Sequence, residues 1–379
     1  MATRQQSAIR IILVLGIILL VASGAQRTLA DGTNNFTQTN LVSDIPGVAR
    51  TTDPNLVNPW GIAFSSTSPF WVSDNGTGLA TLYNGAGAKL GLVVSIPAPG
   101  GGQSAPTGQV FNNTSSFNGD LFIFATEDGT ISGWRGALGT TAETLVNNSG
   151  SGAVYKGLAM ATIGSNTYLY ATDFHNNQIT VVPGAGAPAL TGNFTDPTLP
   201  AGYAPFGIRA VGSQLYVTFA MQDAAKHDDA ACPGCGFVDV FDTQGNFIKR
   251  LVSQGSLNSP WGMATAPTGF GRFGGDLLIG NFGDGTIHAF DPLTGQLIGT
   301  LDGSNGMPLV NLGLWGLAFG NGAQFTSMST LYFTAGIPGP DTIEDHGLFG
   351  AIAAPEPGTL TLLAMGLVGI GAIWRKLTV

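Results

Sequence analysis

Apolar residues in the body of the chain come in short runs broken by Gly, Asn, Asp, Ser and Thr, and no helical 3.6-residue period is sustained between the two ends. The clearest runs are FWVSDN from Phe70, LFIFATED from Leu121, YLYATDF from Tyr168, LYVTFAMQD from Leu215, LLIGNFGD from Leu277 and LYFTAG from Leu331. Their aromatic and β-branched content predicts strands. Each precedes a polar turn and another run, as in FVDVFDTQGN from Phe237 and TIHAFDPLTGQ from Thr286, where Gly245 and Gly295 are free to take positive φ. A further run follows, as in KRLVSQG from Lys249.

A repeat underlies these runs. NPWGIAF at Asn58–Phe64, SPWGMAT at Ser259–Thr265 and GLWGLAF at Gly313–Phe319 are near copies, and weaker copies lie at Thr107–Gly108, Lys156–Gly157 and Phe206–Gly207. The six glycines, Gly61, Gly108, Gly157, Gly207, Gly262 and Gly316, are 47, 49, 50, 55 and 54 residues apart. A period near fifty filled with four short strands predicts an all-β, six-bladed β-propeller of the NHL and lactonase type over residues 31–352. Glycine is expected where each innermost strand crowds the axis, and the neighbouring Trp60, Trp261 and Trp315 are expected to pack between blades. The sixth unit lacks a fourth strand, while TNLVSDIPG from Thr39 matches KRLVSQGSL from Lys249 although it precedes the first Trp-Gly. The N-terminal strand Thr39–Asp44 is therefore expected to pair with Gly347–Ala354 and close the ring, leaving no free sheet edge.

The two ends read as addresses. Arg4 and Arg10 precede the apolar run Ile11–Ala22 and the small residues Ser23–Ala25, with a second candidate cleavage point at Ala30. Residues 1–30 thus read as a secretory signal peptide, twelve apolar residues being short for a membrane span. At the other end, residues 353–379 contain Pro355–Glu356–Pro357, an uncharged stretch of seventeen residues, Gly358–Trp374, and then Arg375–Lys376. That order resembles the bacterial PEP-CTERM sorting signal, which implies a transmembrane helix before processing, an exosortase-type enzyme as partner, and location in the envelope or outside the cell.

Composition narrows the function. Glycine is 57 of 379 residues, about twice the usual ~7 %, and charged residues are 10 % against a typical ~25 %, which suits a turn-rich β protein. Without its two ends the chain keeps 9 basic against 22 acidic residues, a net of −13, so nucleic acid is excluded as an expected partner. No Gly-x-Ser-x-Gly elbow, His-Glu-x-x-His, phosphate-cradling loop or dinucleotide fingerprint is present.

Propeller connectivity places the loops after the second strands on the face where the innermost strands begin. That gathers Asp74, Asn75, Glu127, Asp128, Asp173, Asp223, Asn281 and Asp284, with Asp228, Asp229, Asp341, Glu344 and Asp345, at one end of the ring. Such hard oxygen groups could hold Ca²⁺ or another divalent cation, or could simply cap hairpins through their own backbone. Cys232 and Cys235 are the only cysteines, and in an exported protein they are expected to form a local disulfide; with His227 and Asp228 or Asp229 they could instead bind zinc.

The order of NPWGIAF, SPFWVSDNGTG, FIFATEDGTI, YKGLAM, FVDVFD, SPWGMA, GNFGDGTI, GLWGLAFGNG and LYFTAG resembles a family of exported bacterial propellers, across roughly residues 36–352. The resemblance implies fold and location and carries no activity. Two functions are then expected in order: a surface- or matrix-associated binding or scaffold module linked to extracellular polysaccharide or envelope, with glycans or matrix proteins as partners; or a metal-dependent hydrolase or lactonase at the acidic face.

Overall fold

The computed structural model describes residues 34–340 and 342–355; the signal-peptide reading, Asp341, Glu356, Pro357 and the C-terminal helix lie outside them. Among the described residues no helix is long and apolar enough to cross a membrane.

Six sheets follow one another in chain order, their strand pairings antiparallel except that of Val42–Ser43 with Thr51–Thr52. Blade 1 is Pro59–Ala63, Phe70–Asp74, Leu79–Tyr83 and Lys89–Ser95; blade 2 is Pro106–Phe111, Phe122–Thr126, Thr130–Trp134 and Glu143–Asn147. Blade 3 is Tyr155–Ile163, Asn166–Asp173 and Gln178–Pro183; blade 4 is Tyr203–Val211, Gln214–Met221, Phe237–Asp242 and Phe247–Ser253. Blade 5 is Pro260–Thr265, Leu277–Asn281, Ile287–Phe290 and Leu297–Thr300, and blade 6 is Leu314–Phe319, Thr330–Ala335 and Leu348–Ala353. The first strand of each lies innermost, and its starting end defines the upper face.

The N-terminal strand Thr37–Ser43 completes blade 6, running antiparallel to Leu348–Ala353 from Thr37 opposite Ala353 to Ser43 opposite Leu348. Leu41 and Val42 are buried in this junction. Asp44 fixes its upper end, accepting the Gly347 N–H at 2.8 Å and lying 2.6 Å from His346 Nδ1. Phe36 is buried against Phe270 and Phe273, so the closing segment is anchored beyond its own blade.

Blade 3 departs from the four-strand expectation. The segment after Gln178–Pro183 carries Pro188, Pro197 and Pro200, which have no N–H to give to a ladder. It docks on blade 4 instead, with Gly192 and Phe194 N–H groups bonded to the carbonyls of Gln244 and Gly245 at 3.0 Å and Phe194 packed on Tyr170 and Phe241. Asp196 then pairs with Arg250, which also reaches Asp239 at 2.9 Å.

One device recurs in every blade. The pairing of first and second strands breaks register at the residue before the repeat glycine or at the glycine itself, between Pro59 and Ile62, Pro106 and Gln109, Tyr155 and Gly157, Pro205 and Ile208, Pro260 and Met263, and Leu314 and Leu317. This bulge turns the residue before the glycine toward the axis. A Cβ on Gly61, Gly207, Gly262 or Gly316 would overlap the carbonyl oxygen of that preceding residue in the next blade, Thr107, Trp261, Trp315 or Trp60 respectively. Gly316 against Trp60 links the last blade to the first. The freed glycine N–H finds a threonine on the second strand: Gly157 donates to Thr172 Oγ1 at 2.7 Å, and that hydroxyl donates to Phe206 O at 2.7 Å in the next blade. Gly316, Thr334 and Trp60 repeat the relay.

Candidate functional site at the upper end of the axis

Aligned on the six glycines, the preceding residues are Trp60, Thr107, Lys156, Phe206, Trp261 and Trp315. The aromatics meet between neighbouring blades, as expected, and also across the axis. Trp60 stacks on Trp315 with ring centroids 3.4 Å apart, Trp261 meets both edge-on at 5.8 and 5.6 Å, and Phe206 and Phe282 pack on Trp315. Blades 1 and 5 are not neighbours, so the contact between Trp60 and Trp261 plugs the centre of the ring. Burying these rings against one another supplies both apolar area and favourable edge-to-face geometry.

Lys156 is the single cation in this set and is 1 % exposed. Its ammonium contacts Glu127 Oε1, lies 3.0 Å from Asp228 Oδ1, and sits 5.1 Å from the Trp60 ring centroid. Trp261 Nε1 bonds the Lys156 carbonyl at 3.3 Å. Burial alone would pull the lysine pKa down, but Glu127 and Asp228 outweigh it and raise the value, so the ammonium stays charged.

A chain of polar groups from five blades extends from this pair. Glu127 Oε2 accepts from Asn75 Nδ2 at 2.8 Å, Asn75 Oδ1 accepts from Asn58 Nδ2 at 3.2 Å, and Asn58 Nδ2 also donates to Glu344 Oε1 at 2.9 Å. Asn58 Oδ1 accepts the Trp315 indole N–H at 3.1 Å, tying the polar layer to the aromatic plug. Asn58 and Glu344 hold positive φ, 46° and 80°, a backbone state that non-glycine residues adopt only where surroundings impose it. On the other side Asp228 Oδ1 lies 3.0 Å from His227 Nδ1. The hydrogen bond from His227 is the largest influence on Asp228 and holds its carboxyl well below the usual range; the same contact raises the His227 pKa. Burial pushes Glu344 up to about 7 and Asp229 up to about 6.

Of the oxygen-bearing residues expected at this face, Asn75, Glu127, Asp228 and Glu344 enter the axial network. Asp128, Asp173, Asp223, Asn281 and Asp284 instead bind backbone N–H groups of the loops around them. Asp173 accepts the Val154 and Asn176 N–H groups at 3.2 Å, Asp128 accepts the Ala105 N–H at 3.0 Å, and Asp223 accepts the His227 N–H at 2.9 Å. Asp284 accepts the Thr286 N–H at 3.0 Å, and Asn281 Oδ1 accepts the Asn258 N–H at 3.1 Å. Asp74 is fully buried within blade 1, and that burial raises its pKa well above the carboxylate range. Cys232 and Cys235 are joined in a disulfide with Cα atoms 5.3 Å apart, which consumes the thiolates a zinc site would need. Glu127, His227 and Asp228 each offer one ligand atom within 4.8 Å of the others.

Lys156 and Asn58 carry no site role in the reading of the sequence. The signal for Lys156 was present: one cation at a repeat position otherwise filled by Trp, Phe and Thr.

The chain is 33 % identical over 350 residues to protein L690 of Acanthamoeba polyphaga mimivirus, the match spanning 88 % of each chain. It is 33 % identical over 333 residues to protein R648 of the same virus, spanning 83 % of this chain and 80 % of the relative. Both relatives are described as uncharacterized. The chain belongs to their family. A model of the PEP-CTERM protein-sorting motif matches residues 353–376, which marks an exported, envelope-associated protein processed by an exosortase. Two solved propellers share the fold: one titled "Streptogramin B lyase structure" at a TM-score of 0.51 and 14 % identity, covering 85 % of this chain and 98 % of that one, and a glucose dehydrogenase at 0.52 and 13 %, covering 84 % and 100 %. Identities that low speak for the fold alone.

Proposed function

We propose that this protein is an exported, envelope- or matrix-associated binding module whose upper face engages a polyhydroxylated ligand, extracellular polysaccharide being the class that fits. The observation that carries this reading is Lys156. Its ammonium occupies the place between Glu127 and Asp228 where a carbonyl-polarising metal would be needed, and its raised pKa disfavours the neutral amine that a nucleophile requires. What remains is a charge-compensated array of amide and carboxylate groups, Asn58, Asn75, Glu127, Asp228 and Glu344, with the donors and acceptors that sugar hydroxyls use.

The second reading, a metal-dependent hydrolase, draws on the closeness of Glu127, His227 and Asp228. One pair of assays separates the two. Exopolysaccharide from the producing cell should co-sediment with the protein, and Asn75→Ala with Glu127→Gln should weaken that binding roughly tenfold. Lactones and phosphoesters supplied with Ca²⁺, Mn²⁺ or Zn²⁺ should not turn over. Robust turnover abolished by chelator would sink the binding-module reading.

A further inference from the structure

Below the glycine ring the axis opens into a cavity of about 480 Å³, lined along the six inner strands. Its walls mix exposed backbone and the polar Gln109 and Thr265 with aliphatic side chains, Ile62, Leu158, Met160, Met263 and Leu317 among them, and its volume falls within the range of small-molecule sites. One cation borders it. Arg209, on the inner strand of blade 4, is half-buried and lines the cavity. Its Nη1 donates to Met263 O at 3.0 Å, and it forms no ion pair among the described residues. By contrast, Lys156, Arg135 and Arg250 each have a carboxylate against them, Glu127, Asp120 and Asp239 respectively.

An arginine remains protonated at neutral pH even where burial lowers its pKa, as it does here, and a desolvated cation without a counter-charge is costly. We infer that the lower axial cavity is a binding site for a small organic carboxylate with an apolar body, its carboxylate on Arg209 and its hydrocarbon against the Ile62, Leu158, Met160, Met263 and Leu317 side chains. A single guanidinium balances one negative charge, which selects a monoanion over a phosphate dianion. This site is separate from the polar layer at the upper face, so either can fail without the other.

The test is isothermal titration of the purified full chain, free of detergent, with decanoate and 2-naphthoate as probes and decanol, acetate and inorganic phosphate as controls. The two amphiphilic carboxylates should bind, and each control should bind roughly tenfold more weakly or not at all, because each lacks either the charge or the apolar body. Arg209→Met should reduce decanoate affinity about tenfold and leave any decanol binding unchanged. Met160→Trp, which fills the cavity while keeping the arginine, should abolish decanoate binding, and it keeps the test open should Arg209→Met fold poorly. The assignment is overturned if neither carboxylate binds, if decanol, acetate or phosphate binds as tightly as decanoate, or if decanoate binds a folded variant as it binds the parent.

Discussion

At the upper end of the axis Lys156 is closed in by Glu127, Asp228 and the Trp60 ring, and the polar groups around it form a continuous chain across five blades. At the lower end Arg209 lines an open cavity of mixed polar and aliphatic walls and is held by a single backbone acceptor. Both cations ride on inner strands of the same design, separated by one glycine ring. The difference shows how a propeller can treat its axis as two compartments. Above the ring, the residues before the glycines fill the space and their charge is matched internally; below it, the inner strands line volume that side chains do not fill.

The largest effect expected from breaking this contrast is at Lys156. Lys156→Met should lower stability by about 3 kcal/mol, since it leaves Glu127 and Asp228 facing each other without a cation. Urea midpoints at constant slope would measure the loss. Calcium should then recover part of it in the variant while leaving the parent's midpoint unmoved; a calcium response in the parent would transfer the cation role from the lysine to a metal.

Next in size is the ring that divides the compartments. Gly207→Ala drives a Cβ into the Trp261 carbonyl and should cost about 2 kcal/mol, whereas Gly157→Ala, whose nearest atom would be Phe206 O at 3.0 Å, should cost clearly less. Equal losses at the two positions would mean that the ring tolerates each approach alike. Backbone, rather than side chain, is what the new methyl meets at Gly207, so little relaxation is available.

A smaller effect should appear with pH, and it originates in the upper layer and blade 4. Glu344 and Asp239, pushed up to about 7, and Asp229, pushed up to about 6, hold protons more tightly in the folded chain than in the unfolded one. Folding is therefore favoured as pH falls, and stability declines as pH rises from about 4 to about 7, where the unfolded chain has already released these protons. His227, whose pKa is raised by Asp228, acts in the same direction. The melting temperature should be a few degrees higher at pH 5.5 than at pH 8. Glu344→Gln should shrink that difference and raise the value at pH 8. A melting point that climbs steadily toward pH 8 would contradict the burial of these carboxyls.

The smallest change is expected at the lower end. Arg209→Met should leave stability within about 1 kcal/mol of the parent, because an unpaired cation is replaced by a side chain that suits the aliphatic part of the wall. A loss comparable with that of Lys156→Met would show that Arg209 is a structural post, and the contrast between the two ends would collapse.

Most of the architecture was legible from residue patterns. The fifty-residue spacing of the glycines, the second-strand runs and the displaced Thr39–Asp44 segment each encode pairing locally, and the registers at Thr37–Ser43 and in the six bulges agree with them. Blade 3 was less legible because its place in the repeat implies a fourth strand, while Pro188, Pro197 and Pro200 divert its outer segment onto blade 4. The site was partly legible. Loop position brought Asn75, Glu127, Asp228 and Glu344 to the correct face, but Asp128, Asp173, Asp223 and Asp284 share that face and spend their oxygens on nearby backbone.

By itself the sequence determined the repeat, the closure of the ring and the sorting motif at 353–376, because spacing, alternation and local composition are carried by neighbours along the chain. Only the tertiary structure decided which charges meet. Asn58 and Glu344 are 286 residues apart and become hydrogen-bonded because the last blade closes on the first. Lys156 reaches the axis because a bulge at Gly157 turns it inward, and whether a buried charge is matched there or left facing empty volume depends on side chains contributed by other blades.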